Sequence, residues 1–414
     1  MTLILGGCGS TGSSAVTLRL VAADYGDSPA NSSQKYWDTL VKEYESQHPG
    51  VKIDVSVYSW NDVDAKVKDM VAAGHAPDLA QIGAYADYAA AGKLYPASDL
   101  LSIPTQADFL SQLSEAGQWN HTQYGIPFAA STRVLFYNKT LFAKAGINPP
   151  TTWDELAADA KALKDKGVKY PFALPLGPEE AQAETMQWLL SGSSAGNGGT
   201  GYTDDVGTYT IDSAQNVQTF SWLKNDLVDK GLTGPVAPGS LNRATAFAAF
   251  ADGQVGMLNG HPTLIQQAEK KGVKFGMVPM PGPTGRARAS MGVADWMMAF
   301  KQNGHRDQTG DFLNFVYSEK NVLDFSREYG LLPVTGSASN AMSQSDAAPD
   351  KALHPFLDEL PTSELYPVGK TSWATVSAAV KQNIGQALAP GGDPAGVLTR
   401  LQATATAADS STRN

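Results

Sequence analysis

The chain has 414 residues and a formal net charge of −10, with 42% hydrophobic and 17% charged residues. That length suits two to three domains at roughly 150 residues each, and the composition describes a globular protein with a sizeable core, not a disordered one. The acidic balance and the lack of Lys/Arg clusters exclude nucleic acid as an expected partner, and no run approaches the ~18 apolar residues of a membrane span.

Near the start, Leu5-Gly6-Gly7-Cys8 holds the single cysteine of the sequence. One cysteine leaves neither an intramolecular disulfide nor thiol catalysis to consider. A leucine three places before a cysteine, with two small residues between, resembles the lipobox of bacterial lipoproteins; the alternative is a chance run of small residues. In lipoproteins the sulfur takes a diacylglyceryl group and the chain is cut just before it. One diacylated cysteine anchors stably, and residues 9–14 (GSTGSS) suit a flexible tether. Residues 1–4 are too short for a signal peptide and lack a positive n-region. The expectation is that residues 1–15 are a signal-peptide remnant, lipobox and tether.

Residues 16–23 (VTLRLVAA) alternate with the period of a strand. After a polar loop, Trp37, Leu40, Val41 and Tyr44 recur at helical spacing, and Pro49-Gly50 closes that helix. Residues 51–58 (VKIDVSVY) form a second strand. Val63, Val67, Met70 and Val71 give a second helix face that ends at Gly74, and residues 78–83 a short third strand. Strands alternating with helices imply βαβ units and a mainly parallel sheet. Residues 133–139 make a further strand. Thr152 and Glu155 then form a capping box for a helix whose stripe is Trp153, Leu156, Ala160 and Leu163. The Gly-rich residues 192–201 suit a surface loop, because they lack the Lys-Ser/Thr ending of a phosphate cradle. Residues 275–279 suit a strand, 311–317 and 321–329 helices, and the tail after Ala403 a frayed end.

Several blocks, in order, resemble the extracellular sugar-binding proteins of bacterial ABC importers. They are Pro77-Asp78-Leu79, Gly92-Lys93-Leu94-Tyr95-Pro96, Tyr124-Gly125-Ile126-Pro127, and Leu135-Phe136-Tyr137-Asn138-Lys139 with Leu141-Phe142. Ala145-Gly146 leads to Pro149-Pro150-Thr151-Thr152-Trp153-Asp154-Glu155-Leu156, and Phe250-Ala251-Asp252-Gly253-Gln254-Val255-Gly256-Met257 and Gly330-Leu331-Leu332-Pro333-Val334 follow. No block is specific alone; their order and spacing are. The resemblance implies an α/β protein with the two-lobe, periplasmic-binding-protein-like (type II) fold. Lobes of 16–128 plus 281–330 and of 129–280 plus 331–408 would be joined by crossings near 128–131, 278–281 and 330–333. It further implies a sugar ligand, a membrane permease as partner, and a monomer anchored by Cys8 at the extracellular face, with no catalysis, cofactor or metal. Open α/β sheets bind ligands beyond the carboxyl ends of their strands, and two such lobes close by a hinge.

A sugar stacks its C–H faces on aromatic rings and presents hydroxyls to carboxylates, amides and guanidinium groups, so a site combines both kinds of side chain. Asp24 and Tyr25 follow the first strand, although Asp24 equally suits a loop cap. Trp60 follows the second, where Asp62 suits a helix cap. Tyr85 and Tyr88 follow the third, where packing under the helix is the alternative. Arg133 begins the strand leaving the first crossing and suits a forked contact.

The resemblance adds Trp188, where the family often sets an aromatic against the sugar and where a core role is equally open. It adds Trp373, six residues after Pro367 and similar in placement to a stacking tryptophan of maltodextrin-binding relatives. Asp295 and Trp296 fall near the cleft floor; a carboxylate in so apolar a strand is costly without partners. Relatives have Gly-Pro-Trp or Gly-Ser-Trp where this chain has Gly260-His261-Pro262. His261 thus replaces one stacking aromatic with an imidazole that can hydrogen-bond, which hints at a sugar smaller than a long maltodextrin or differently oriented; a satisfied structural histidine is the equal alternative.

Two other functions compete. A glycoside hydrolase needs two carboxylates flanking the bond, and 41 acidic residues leave that open, though no nucleophile elbow, metal cluster or phosphate loop is visible. A binder of a peptide, polyamine or phosphorylated glycerol is the other; for an anion, only Arg133 stands near a strand end.

Overall fold

The computed structural model describes residues 15–26, 29–60, 62–193, 201–204 and 206–411. The lipobox with Cys8 lies outside the described residues, as does most of the Gly-rich stretch.

Each alternating segment at the start becomes a strand. β1 (Val16–Ala23) lies between β2 (Val51–Tyr58) and β3 (Leu79–Ile82) in parallel, with Val16 opposite Val51 and Leu20 opposite Leu79. Leu18, Leu20, Val21, Ala22 and Ala23 are all buried, as expected of a central strand covered on both faces. Farther along come a two-stranded hairpin, β4 (Gln118–Trp119) and β5 (Thr122–Gln123), then β6 (Ile126–Ser131) and β7 (Val134–Asn138). The hairpin turn uses Asn120 and His121 at φ 49° and 60°, the left-handed pair a tight two-residue hairpin requires. β8 (Tyr170–Ala173), β9 (Val255–Gly260), β10 (Phe275–Val278) and β11 (Val293–Ala299) complete the set.

Apart from the β4–β5 hairpin, these strands make two sheets, ordered β2-β1-β3-β11-β6 and β10-β7-β9-β8, each the centre of one lobe. In the first, β11 runs antiparallel to both β3 and β6, so Val293 meets Ser131 and Trp296 meets Ile82. The carboxyl ends of β1, β2, β3 and β6 therefore share one edge with the start of β11. In the second, Val134 opens β7 opposite Gly260, the end of β9. The carboxyl ends of β8 and β9 therefore share one edge with the start of β7.

Helices cover both sheets. The helix Ser33–Gln47 is capped by Ser32, whose hydroxyl accepts from the Gln34 N–H, and buries Trp37, Leu40, Val41 and Tyr44. At Trp153–Asp165 the capping box forms in full. The tail departs from its expected fraying: helix Pro394–Ser411 runs through it. Alanines at 403, 405, 407 and 408 favour the helix, Ala405 is fully buried, and Asp409 accepts from Lys370 and Ser372 at 2.9 and 3.0 Å.

Three stretches connect the sheets. Thr132 and Arg133 link β6 to β7, and residues 279–292 link β10 to β11. At residues 330–333 the structure has a helix end: Gly330, at φ 61°, is the left-handed cap of Glu319–Tyr329. Leu332 then pairs with Ala130, Ser337 with Asp108, and Asp350 with Arg327, all within reach of the first sheet. The chain first meets the second sheet at Phe356, whose ring centre is 6.0 Å from that of Phe136 in β7, and residues 363–372 then run beside the β10–β11 connection. Ser290 ties the three stretches together. Its hydroxyl accepts from the Arg133 N–H at 2.9 Å and donates to the Arg133 carbonyl at 2.7 Å, and its carbonyl accepts from the Glu364 N–H at 3.0 Å.

Candidate interlobe binding site

The site's floor on the first lobe is a chain of hydrogen bonds across three strands. The Ala23 N–H donates to Gln81 Oε1 at 3.0 Å, Gln81 Nε2 to the Tyr25 hydroxyl at 2.8 Å, and that hydroxyl to Asp295 Oδ2 at 2.7 Å. Gln81 is fully buried in β3, so its amide is fixed and Tyr25 is aimed by it. Asp295 sits at a register shift between β11 and β6, an irregularity of the kind that re-aims a side chain. Burial pushes its carboxyl up to about 7 against the Tyr25 bond, with the charges of Asp64 and Glu180 adding to the rise. Tyr25 is raised well above its ordinary value by burial and by Asp295.

Trp60 stands edge-on to Tyr25 with ring centres 5.4 Å apart. At 37% exposed it is a large apolar side chain with a free face. Asp64, on the next helix, is open to water yet crowded enough by surrounding protein to raise its carboxyl. The Gly83 N–H, at 3.0 Å, and the charge of Lys381 on the other lobe oppose that rise.

On the second lobe, the Arg133 guanidinium pairs with Glu180, and Arg243 bridges Glu180 and Glu179. Burial works against ionising Glu180, but the two arginines outweigh it and hold its carboxyl below the usual range. His261 lies at the end of β9 against Phe247, with ring centres 5.0 Å apart, and its Nδ1 is 3.0 Å from the Thr263 hydroxyl. Burial, then the charges of Arg133 and Arg243, push its pKa well down, so the ring is neutral.

Tyr366 joins the halves. Its hydroxyl is raised well above the ordinary value, first by burial, with Glu180 and Asp295 adding and Arg133 opposing. It therefore stands within electrostatic reach of both lobes. Its ring stacks on Trp373, centres 5.1 Å apart and planes 26° from parallel.

The structure brings Tyr25, Trp60, Asp295, Arg133 and His261 to facing edges of the two sheets. It places other expected residues elsewhere. Asp24 closes its own loop, accepting from the Gly26 and Ser33 N–H groups at 3.0 and 2.8 Å. Tyr85 is fully buried, its hydroxyl 2.7 and 2.8 Å from the carbonyls of Ala116 and Gln118. Trp296 is fully buried against it. Trp188 is core too, its indole N–H donating to Glu184 at 2.7 Å. Trp373, only 6% exposed, backs Tyr366 and does not itself present a face. Sequence reasoning missed Gln81, Glu180 and Tyr366. A lone amide inside a buried four-residue strand, and paired acids in the loop after β8, were the available signals; Tyr366 had none beyond its nearness to Pro367.

Chemically, the site offers hydrogen-bonding groups on both lobes, an aromatic at its rim and another at its side. Both arginines are engaged by glutamates, so neither is left as a bare cation.

A family model described as bacterial extracellular solute-binding protein matches residues 39–352. A binding protein of Brucella abortus is 28% identical over 401 residues, spanning 94% of this chain and 92% of that protein. An uncharacterized lipoprotein of Streptomyces antibioticus is 25% identical over 86% of this chain and 77% of its own length. The crystal structure of a cyclic α-maltosyl-1,6-maltose binding protein from Arthrobacter globiformis is similar with a TM-score of 0.78. It is 22% identical, with 95% of this chain and 98% of that one covered, and shares the two-lobe fold.

Proposed function

Because the chain belongs to the bacterial extracellular solute-binding proteins, we propose that it captures a neutral mono- or oligosaccharide between its lobes and delivers it to an ABC permease. The observation that carries this reading is Asp295, held by Tyr25 at one oxygen and facing a second lobe whose arginines are already paired. A ligand there meets hydrogen-bond partners and no free guanidinium, which suits hydroxyls better than a phosphate. A carboxyl near neutrality both donates to and accepts from hydroxyls. Trp60 and Tyr366 supply ring faces for the apolar side of a pyranose. The similarity to a maltosyl-maltose binder supports the same ligand class.

Capture proceeds by hinge closure without bond chemistry. Glu180 has both oxygens engaged by arginines, which disqualifies it as the partner carboxylate that glycoside hydrolysis needs. Attachment through a lipid on Cys8 completes the proposal, supported by the lipobox-like start and the lipoprotein relative.

Calorimetric titration with maltose, maltotriose, galactose, chitobiose, a tripeptide, spermidine and glycerol 3-phosphate tests the reading. A sugar should bind, and Asp295→Asn should weaken it by about 1–3 kcal/mol, the cost of leaving a buried hydrogen-bonding group without its partner. Binding of spermidine, peptide or glycerol phosphate with no sugar response would overturn it, as would release of monosaccharide from the titrated oligomers.

A further inference from the structure

A second cavity, of about 540 Å³, opens on the second lobe and shares no residue with the interlobe site. Its size lies within the roughly 300–1,000 Å³ typical of small-molecule sites. It lies between the helix Trp153–Asp165 and the π-helical turn Leu223–Val228, an irregularity common at functional positions. The floor includes the indole of Trp222, half-buried, beside Ala157 and Ala158, whose small side chains leave the space open. One side of Trp222 stacks on Trp153, centres 4.7 Å apart and planes 21° from parallel.

The rim is charged but neutralised within itself. Lys161 pairs with Asp165 and Lys230 with Asp226, each at 2.6 Å, and Lys164 donates to the Lys230 carbonyl at 2.9 Å. A rigid aromatic floor inside a ring of paired polar groups matches a ligand with one apolar ring face and a hydroxyl edge. The rim's three lysines and three aspartates sum to zero, so the ring as a whole favours neither an anion nor a cation.

We propose that this cavity is a second carbohydrate site, taking one or two pyranose units of a neutral polysaccharide and holding it beside the cleft. Trp153 also donates its indole N–H to the Pro281 carbonyl at 3.1 Å, so the stacked pair leads from the cavity to the connection between β10 and β11. The site goes beyond the cleft function and does not depend on which sugar the cleft takes.

Affinity electrophoresis of the full chain through gels containing soluble starch, laminarin or galactomannan tests it. At least one polymer should retard the protein. Trp222→Ala should weaken that retardation about tenfold, the scale of a lost stacking contact. Ala157→Gln, which fills the cavity from a partly exposed helix position while keeping both tryptophans, should do the same. Asp295→Asn should keep it. Retention in both cavity variants, loss in Asp295→Asn, or no retardation by any of the three polymers overturns the proposal, while the cleft titration stands or falls separately.

Discussion

Glu184 gives the structure its sharpest pH test. Its carboxylate is 6% exposed beneath the second-lobe wall. One oxygen accepts from the Trp188 indole and the other from Asn259 Nδ2, both at 2.7 Å. Burial nonetheless pushes the carboxyl from 4.5 up to about 7, against those two bonds and the charge of Arg133. The folded protein therefore keeps a proton that the unfolded chain releases. Below pH ~4.5 both states are protonated and the contribution to stability is complete. Between ~4.5 and ~7 stability falls as pH rises, and above ~7 the loss is full. At about 1.4 kcal/mol per unit, that loss is about 3 kcal/mol.

Glu184→Gln removes the titration while keeping the shape. The new amide oxygen accepts from Trp188. If the Asn259 amide turns over, its Oδ1, now without a partner, accepts from the new amide nitrogen. Asp295 titrates with the same sign in both proteins and cancels in the comparison. Urea unfolding at pH 5 and pH 8 should show the variant gaining about 3 kcal/mol on wild type between the two, with unchanged m-values. A difference that stays constant with pH would refute the buried-acid reasoning.

Trp60→Ala should weaken sugar binding by about 1–3 kcal/mol with little change in melting temperature, whereas Trp373→Ala, which empties a buried site behind Tyr366, should cost about 3–5 kcal/mol of stability as well. Thermal melts paired with titration separate the two. At Gly369 an added Cβ would come 2.7 Å from the Gln118 carbonyl and 3.4 Å from the Tyr85 hydroxyl, so Gly369→Val should overpack the contact between residues 363–372 and the first lobe by about 1–3 kcal/mol. Weaker binding with a larger radius of gyration in X-ray scattering is the expected result; unchanged affinity would mean the contact plays no part in closure. Cys8→Ser should move the protein from the membrane to the soluble fraction in cell fractionation without altering affinity, and a change in affinity would contradict the tether reading.

The strands of the first lobe were readable because each is a run of alternating or continuous apolar residues between turn signals, and the capping box at Thr152 because it is a local pattern. The tail helix was not, since its alanines show no stripe and its anchor, Asp409 to Lys370, is a long-range contact. The site divides the same way. Asp295 stood out as a charge in an apolar strand, and Trp60 as an aromatic past a strand end. Trp188, Trp296 and Tyr85 have the same local signature as a ligand aromatic, and only the packing of distant elements puts them in the core. Glu180 needed the opposite knowledge: its role follows from two arginines 47 and 63 positions away in sequence.

That pairing also bears on how ligand capture reaches the hinge. Arg133 belongs to both places at once. Its guanidinium holds Glu180 at the edge of the second sheet, while its backbone exchanges two hydrogen bonds with Ser290. Gln187 Oε1 accepts from the neighbouring Met291 N–H at 2.9 Å, and Ser290 in turn receives Glu364, the residue two before Tyr366. One side of the site and all three connections are therefore one hydrogen-bonded assembly. A ligand that pulls Arg133 or Tyr366 toward Asp295 acts directly on the strands that must bend, and no separate relay between the site and the hinge is required.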